Sequence, residues 1–189
     1  MALHHDLLDQ ASHLALRESR RPRQASLRRA VSSAYYALFH LLVEEGARRF
    51  TPPQPAQMRL QVRRAFAHGD MRNVCRQFAA GSTSRATAQL LQAAIEPQLR
   101  QVAQVFVELH DARHEADYDL TATFSRVDVL QKVRLALEAF TAWAQVRKRP
   151  MLPFFLPLSC CKASGGNRIT RIDWASYEPS ASNLTTESH

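Results

Sequence analysis

Glycine, cysteine and long apolar runs are all scarce in this 189-residue sequence. With 5 glycines, 9 prolines and 46% apolar residues, the composition excludes a collagen-like or wholly disordered protein. The cysteines Cys75, Cys160 and Cys161 cannot all pair and two are adjacent, which excludes a disulfide scaffold and predicts a reducing, cytoplasmic setting. No apolar run of about 18 residues is present, so no membrane-spanning helix is expected. The N-terminal residues also lack the basic start and apolar core of a signal peptide.

Lysine is nearly missing from the basic residues. Lys132, Lys148 and Lys162 are the only lysines among 25 basic residues, so 22 are arginines, and the formal net charge is +8. Arginine binds phosphates with two parallel hydrogen bonds and stacks on bases, which suits nucleic-acid binding. A GC-rich genome also enriches arginine together with alanine, so both explanations stay open.

The apolar residues recur at the three-to-four spacing of helices, and no series of β-branched strands or hairpin turns is present. The sequence therefore predicts an all-α protein: an up-and-down bundle of four long helices with two short ones inserted. Gly46 and the following TPPQP run are expected to end the second helix, and Pro97 predicts a break near Ile95 in the fifth. The predicted helices span about 3–20, 23–49, 56–67, 70–80, 84–116 and 127–148.

The composition changes sharply after Arg149. The segment from Ser159 onward is rich in Ser, Thr, Asn and Gly and has no helical period. We therefore expect residues 1–149 to form one helical bundle and residues 150–189 to form a disordered tail. Cys160 and Cys161 have no His or Cys partner at metal-binding spacing, so we expect neither a metal nor a cofactor.

The first informative segment is LRRAVSSAYYALFHLL at residues 27–42. Arg29, Ser33, Tyr36 and His40 recur at spacings of four, three and four, which predicts one polar ribbon along the helix. Such a ribbon could bind a phosphate or take part in acid–base chemistry. Alternatively, the tyrosine rings simply pack, and their hydroxyls and His40 find partners at the edge of the bundle.

The second informative segment is LHDARHEADYDL at residues 109–120. One turn beyond the last apolar residue of the inner stripe lies Arg113, where an arginine is costly unless a carboxylate, phosphate or aromatic ring meets it. It could pair structurally with Asp117 or Asp119. It could instead hold a phosphodiester in a groove, with Tyr118 and His114 nearby.

Together the two segments resemble the HEPN superfamily of small helical bundles. Residues Ser33 to His40 read SAYYALFH and residues Arg113 to Asp119 read RHEADYD. They are similar to the SxAYYAxFH helix and the RxxADYD helix end of prokaryotic stand-alone HEPN proteins. The resemblance covers about residues 3–148.

The resemblance implies a four-to-five-helix bundle that forms homodimers and is often encoded beside a minimal nucleotidyltransferase. Many HEPN proteins are metal-independent endoribonucleases that act as toxins in toxin–antitoxin or defence systems. In these enzymes an arginine orients the scissile phosphate, and a histidine four to six residues later assists attack by the ribose 2′-OH.

This chain departs from the family pattern after Arg113, because Tyr118, Asp119 and Leu120 occupy the positions of the expected histidine. The one arginine followed after four residues by histidine is Arg63 with His68, no more than chance produces in this composition. An enzyme would therefore use Arg113 with His40, Tyr118 or His114 as catalytic residues.

The alternative is a non-catalytic module that dimerises and binds a nucleotidyltransferase or RNA. Its nucleic-acid contacts would come from Tyr36 and from an arginine cluster near the start of the second helix. The arginines of that cluster singled out as RNA contacts are Arg20, Arg21, Arg28 and Arg29.

Overall fold

The computed structural model describes residues 2–50, 56–81 and 95–147, and within these ranges the protein is helical with no strand. This confirms the all-α class. The expected tail at 150–189 and the first part, 84–94, of the helix expected at 84–116 lie outside the described residues. The helices, numbered in chain order, are α1 Leu3–Leu16, α2 Gln24–Phe50, α3 Ala56–Ala65, α4 His68–Ala80, α5 Pro97–Tyr118 and α6 Arg126–Val146.

The helices pack as a bundle around α2 and α5. Helix α2 contacts α1, α3, α5 and α6, and α5 contacts α2, α4 and α6. The apolar stripe of α2 is fully buried because its members recur at helical spacing, and burying each large side chain contributes about 1.5–3 kcal/mol. Its fully buried members are Leu27, Ala30, Val31, Ala34, Leu38 and Leu42.

The break expected near Ile95 coincides with the start of α5. Ile95 and Glu96 are not helical, and α5 begins at Pro97, where the missing N–H of proline costs no intrahelical hydrogen bond. Gly81 ends α4 with a left-handed φ of 67°, and its N–H donates to the carbonyl of Phe78 at 3.2 Å.

One helix end agrees with the sequence-based expectation and one helix start differs from it. Helix α2 ends at Phe50, one residue beyond the predicted end at about residue 49, and Gly46 lies inside the helix with the ring of Phe66 packed directly on it. A Cβ at position 46 would lie 2.6 Å from Cζ of Phe66, so only glycine leaves room for the ring. Helix α4 begins at His68 rather than at residue 70, which brings this histidine onto the helix facing α2.

Among the described residues, no helix combines the length and hydropathy needed to cross a bilayer.

Candidate functional site

Arg113 lies at the α2–α5 interface, and its side chain is only 15% exposed. Its Nη2 donates a 2.9 Å hydrogen bond to the hydroxyl of Tyr36, and its Nε lies 2.7 Å from Oδ2 of Asp117. Its guanidinium carbon lies 5.5 Å from the ring centres of both Tyr36 and Tyr118. Within the described ranges Nη1 makes no hydrogen bond, so one edge of the guanidinium keeps unused donors.

The carboxylate that pairs with Arg113 is itself held in place. Ser32 on α2 donates to Oδ1 of Asp117 at 2.7 Å, while Oδ2 faces Arg113. Arg113 and Asp117 are four residues apart on α5, the spacing at which helical side chains meet. The structural pairing with Asp117 considered from the sequence is therefore present, and together with the hydrogen bond to Tyr36 it orients the guanidinium.

A histidine of α4 completes this cluster. His68 shares a 2.7 Å hydrogen bond through Nδ1 with the hydroxyl of Tyr35, and its ring stacks on Phe39 at 4.0 Å. It also packs edge-on against Tyr36, with ring centres 5.8 Å apart. Because Tyr36 contacts both Arg113 and His68, one tyrosine joins the cation to the imidazole.

Burial keeps the histidines of this region neutral. It lowers the pKa of His68, and the positive charge of Arg113 lowers it further. The pKa values of His40 and His110 are also lowered chiefly by burial, and Asp111 partly opposes this at His110. A neutral imidazole can accept a proton at pH 7.

Tyr35 is the buried support of the cluster. Burial raises the pKa of its hydroxyl, so the phenol stays protonated while it is bonded to His68. His110 packs edge-on against the same ring at 5.5 Å. Tyr35 therefore fixes the rings of two histidines from the core side.

Two of the predicted catalytic residues, His40 and Tyr118, contact the cluster around Arg113, and a third, His114, contacts Tyr118. His40 lies beside Tyr36, with ring centres 6.3 Å apart, and Tyr118 lies beside Arg113. His114 is exposed and packs on Tyr118 at 4.9 Å.

The predicted polar ribbon on α2 is divided between two neighbouring helices. Ser33 turns toward α1 and donates to Gln10 at 3.3 Å, while Tyr36 turns toward Arg113 on α5. Arg29 is exposed between them.

The predicted RNA-binding arginines also differ in position. Arg20 and Arg21 are exposed in the connection between α1 and α2. Arg28 is half-buried and donates to the carbonyls of Ala116 at 2.8 Å and Ala122 at 2.5 Å, so its guanidinium is engaged with the backbone at the end of α5.

The sequence did not single out His68, His110 or Tyr35 as site residues. Arg63 and His68 did show the family's spacing, but Arg63 lies on α3 and is not the arginine that His68 accompanies. His68 is joined to Arg113 through Tyr36, and no local pattern encodes a link between residues so far apart in sequence.

The described residues form two surface cavities, and Arg113 lines neither. One lies between α5 and the start of α6 and carries Glu108, Asp111, Glu115 and Asp128. The other lies between α2 and α3. In the described part of the chain, no three His, Cys, Asp or Glu side chains are grouped so as to hold a metal ion.

No family model, curated protein or solved structure matches the chain. The chemistry of the cluster of Arg113, Tyr36 and His68 is therefore argued from the contacts between these residues.

Proposed function

We propose that this protein is a HEPN-like endoribonuclease that cleaves RNA without a metal ion, with Arg113 binding the scissile phosphate. The observation that carries this proposal is the guanidinium of Arg113, held by Tyr36 and Asp117 and left with free donors on one edge. An oriented guanidinium in a partly dehydrated position stabilises charge that develops on a phosphate. The neutral imidazole of His68, joined to it through Tyr36, supplies a proton acceptor.

The reaction needs a base and a phosphate clamp. The ribose 2′-oxygen loses its proton to a base and attacks the adjacent phosphorus, the bond to the 5′-oxygen breaks, and a 2′,3′-cyclic phosphate forms. When Nδ1–H of His68 donates to the Tyr35 hydroxyl, Nε2 carries the lone pair that accepts this proton. The same imidazolium can return the proton to the leaving 5′-oxygen.

The histidine that the family places after its arginine is thus supplied from another helix. Tyr118 occupies that position on α5 and contacts Arg113 through its ring, while His68 comes from the N-terminus of α4. The family resemblance adds a homodimer and a minimal nucleotidyltransferase partner to the proposal.

The test is cleavage of a labelled RNA by the purified full chain in the presence of EDTA. We expect products that end in 2′,3′-cyclic phosphate, and we expect Arg113→Ala to slow cleavage by about 100-fold or more. His68→Ala should slow it by about 100-fold, the usual contribution of a general base. Arg134→Ala is the matched control, because Arg134 is an exposed arginine of α6 that pairs with Glu138.

Intact RNA at high protein concentration would reject the nuclease. The second candidate, a non-catalytic RNA-binding module, is favoured by one observation: the ion pair with Asp117 already satisfies part of the charge of Arg113. That candidate predicts steeply salt-dependent RNA binding without cleavage.

A further inference from the structure

A second concentration of arginines lies between α2 and α3, outside the cluster around Arg113. The side chains enclose a cavity of about 380 Å³. Its lining residues are Glu44, Ala47, Arg48, Arg59, Leu60 and Arg63. Three arginines around one cavity favour an anionic ligand.

Glu44 organises two of these arginines. Its Oε1 lies 2.6 Å from Nη2 of Arg48 and 3.6 Å from Nη2 of Arg63, while Glu45 accepts a second bond from Arg48 at 3.2 Å. Each guanidinium has five N–H donors, so these contacts leave donors unused. Arg59 forms no ion pair with any described residue, so the cavity keeps an excess of positive charge.

The cavity adjoins the cluster around Arg113 along one side of α2. Tyr36, His40 and Glu44 follow each other at a spacing of four residues, which places them on neighbouring turns of the same side. Arg63 lies close enough to His40 to lower its pKa, and His40 packs against Tyr36, which bonds Arg113. Eight residues of helix separate Tyr36 from Glu44, a distance of about 12 Å along the axis.

We infer that this cavity binds a second phosphate of the RNA strand whose scissile phosphate contacts Arg113, an inference that rests on the proposed function. A stacked strand rises about 3.4 Å per nucleotide along its axis, so the span of about 12 Å from Tyr36 to Glu44 is bridged by at most about four nucleotides. The proposed substrate is therefore a single strand that extends a few nucleotides from the cleaved bond toward α3.

The test measures affinity as a function of strand length. Fluorescence anisotropy with 2′-deoxy oligonucleotides, which cannot be cleaved by 2′-OH attack, gives Kd for a dinucleotide and for a 12-mer at several salt concentrations. We expect Arg59→Ala and Arg63→Ala to weaken binding of the 12-mer. Each should also make the slope of log affinity against log salt shallower by about 0.7 for every phosphate that the variant no longer neutralises. Both variants should bind the dinucleotide as the unaltered chain does.

Three controls separate charge from folding. Arg134→Ala removes an exposed, ion-paired arginine from α6 and should change neither affinity. Arg63→Lys keeps the charge and should recover most of the affinity for the 12-mer. Arg59→Ala breaks no ion pair among the described residues, so urea unfolding should show an unchanged stability.

The outcomes distinguish the two proposals. If Arg59→Ala and Arg63→Ala bind the 12-mer like Arg134→Ala while Arg113→Ala weakens both lengths, the cavity is not a phosphate site and the proposed function stands. If Arg113→Ala changes neither affinity, the strand does not reach Arg113, and both proposals fall. Both proposals are supported if Arg59→Ala and Arg63→Ala weaken binding of the 12-mer alone and Arg113→Ala weakens binding of both lengths.

Discussion

The two half-buried arginines between α2 and α5 are held in opposite ways. Arg28 of α2 donates to the backbone carbonyls of Ala116 and Ala122, where α5 ends and the connection to α6 begins. Among the described residues, Arg113 of α5 makes its hydrogen bond and ion pair with side chains, the hydroxyl of Tyr36 and the carboxylate of Asp117. Backbone carbonyls are fixed by the fold, whereas side chains can exchange partners with a ligand.

The difference teaches that burial alone does not assign an arginine to a site. The guanidinium of Arg28 satisfies the carbonyl of Ala116, which the end of α5 leaves without an intrahelical partner, and the carbonyl of Ala122 in the connection to α6, so its contacts are structural. This position weakens the expectation that Arg28 contacts RNA, although the residue lies beside the exposed Arg29. Arg113 is the arginine whose partners a phosphate can replace.

The largest expected effect on stability is that of Arg28→Ala. Removing the two charge-assisted hydrogen bonds should lower the free energy of unfolding by about 2–3 kcal/mol. Arg113→Ala should lower it by about 1 kcal/mol, because it removes an i,i+4 ion pair and one hydrogen bond to a hydroxyl. Urea unfolding followed by circular dichroism measures both, and Arg134→Ala serves as the exposed control.

RNA binding should rank these two variants in the opposite order. At a temperature where both variants are folded, Arg28→Ala should bind RNA almost as the unaltered chain does, and Arg113→Ala should not. If Arg28→Ala and Arg113→Ala decrease stability equally, or decrease RNA binding equally, then it makes no difference that Arg28 is held by backbone carbonyls and Arg113 by side chains.

The fold was predictable to the extent that it is encoded locally. Helical periodicity predicted the helices, and Pro97 and Gly81 predicted where one begins and another ends. Gly46 lies inside α2 rather than at its end, and the ring that packs on it belongs to Phe66, which follows α3 in the chain. A glycine inside a helix looks like a terminator when its packing partner is not known.

The candidate site was predictable only in part for the same reason. Arg113 stood out because it interrupts an apolar stripe, and the structure does place it in a half-buried position. His68 joins Arg113 through Tyr35 and Tyr36, contacts that depend on how α4 packs against α2. The carbonyl partners of Arg28 likewise lie far along the chain and leave no signal in the sequence around it.

The pH dependence of stability should also distinguish the cluster around Arg113 and His68 from the contacts of Arg28. The folded pKa of His68 lies below its ordinary value of 6.5, so protons bind more strongly to the unfolded chain. Besides the Tyr35 hydroxyl that is bonded to it, this histidine faces Arg113 and His110 from α5 and His40 from α2, and these three disfavour its protonation. The free energy of unfolding should therefore fall as pH decreases below about 6.5.

This dependence is measured by urea unfolding between about pH 7.5 and pH 5, a range that spans the ordinary histidine pKa. The stability of His68→Gln should fall less steeply than that of the unaltered chain, because one lowered pKa is removed. Arg28→Ala should keep the original slope, because the carbonyls that Arg28 contacts do not titrate. An unchanged slope in His68→Gln would mean that His68 is not held neutral by the fold.

An effect no larger than that of Arg113→Ala belongs to Ser32, whose hydroxyl lies near both the backbone of Arg28 and the carboxylate of Asp117. Its hydroxyl lies 3.2 Å from the carbonyl of Arg28 and 2.7 Å from Oδ1 of Asp117, and its single proton favours the closer carboxylate. Ser32→Ala should lower the free energy of unfolding by about 1 kcal/mol. Ser33→Ala is the matched control, because the neighbouring buried serine donates to the neutral Gln10 at a longer 3.3 Å. If Ser33→Ala lowers the free energy of unfolding less than Ser32→Ala does, the additional loss comes from the hydrogen bond to Asp117, the carboxylate that orients Arg113. Equal decreases would show that Asp117 is held in place without Ser32.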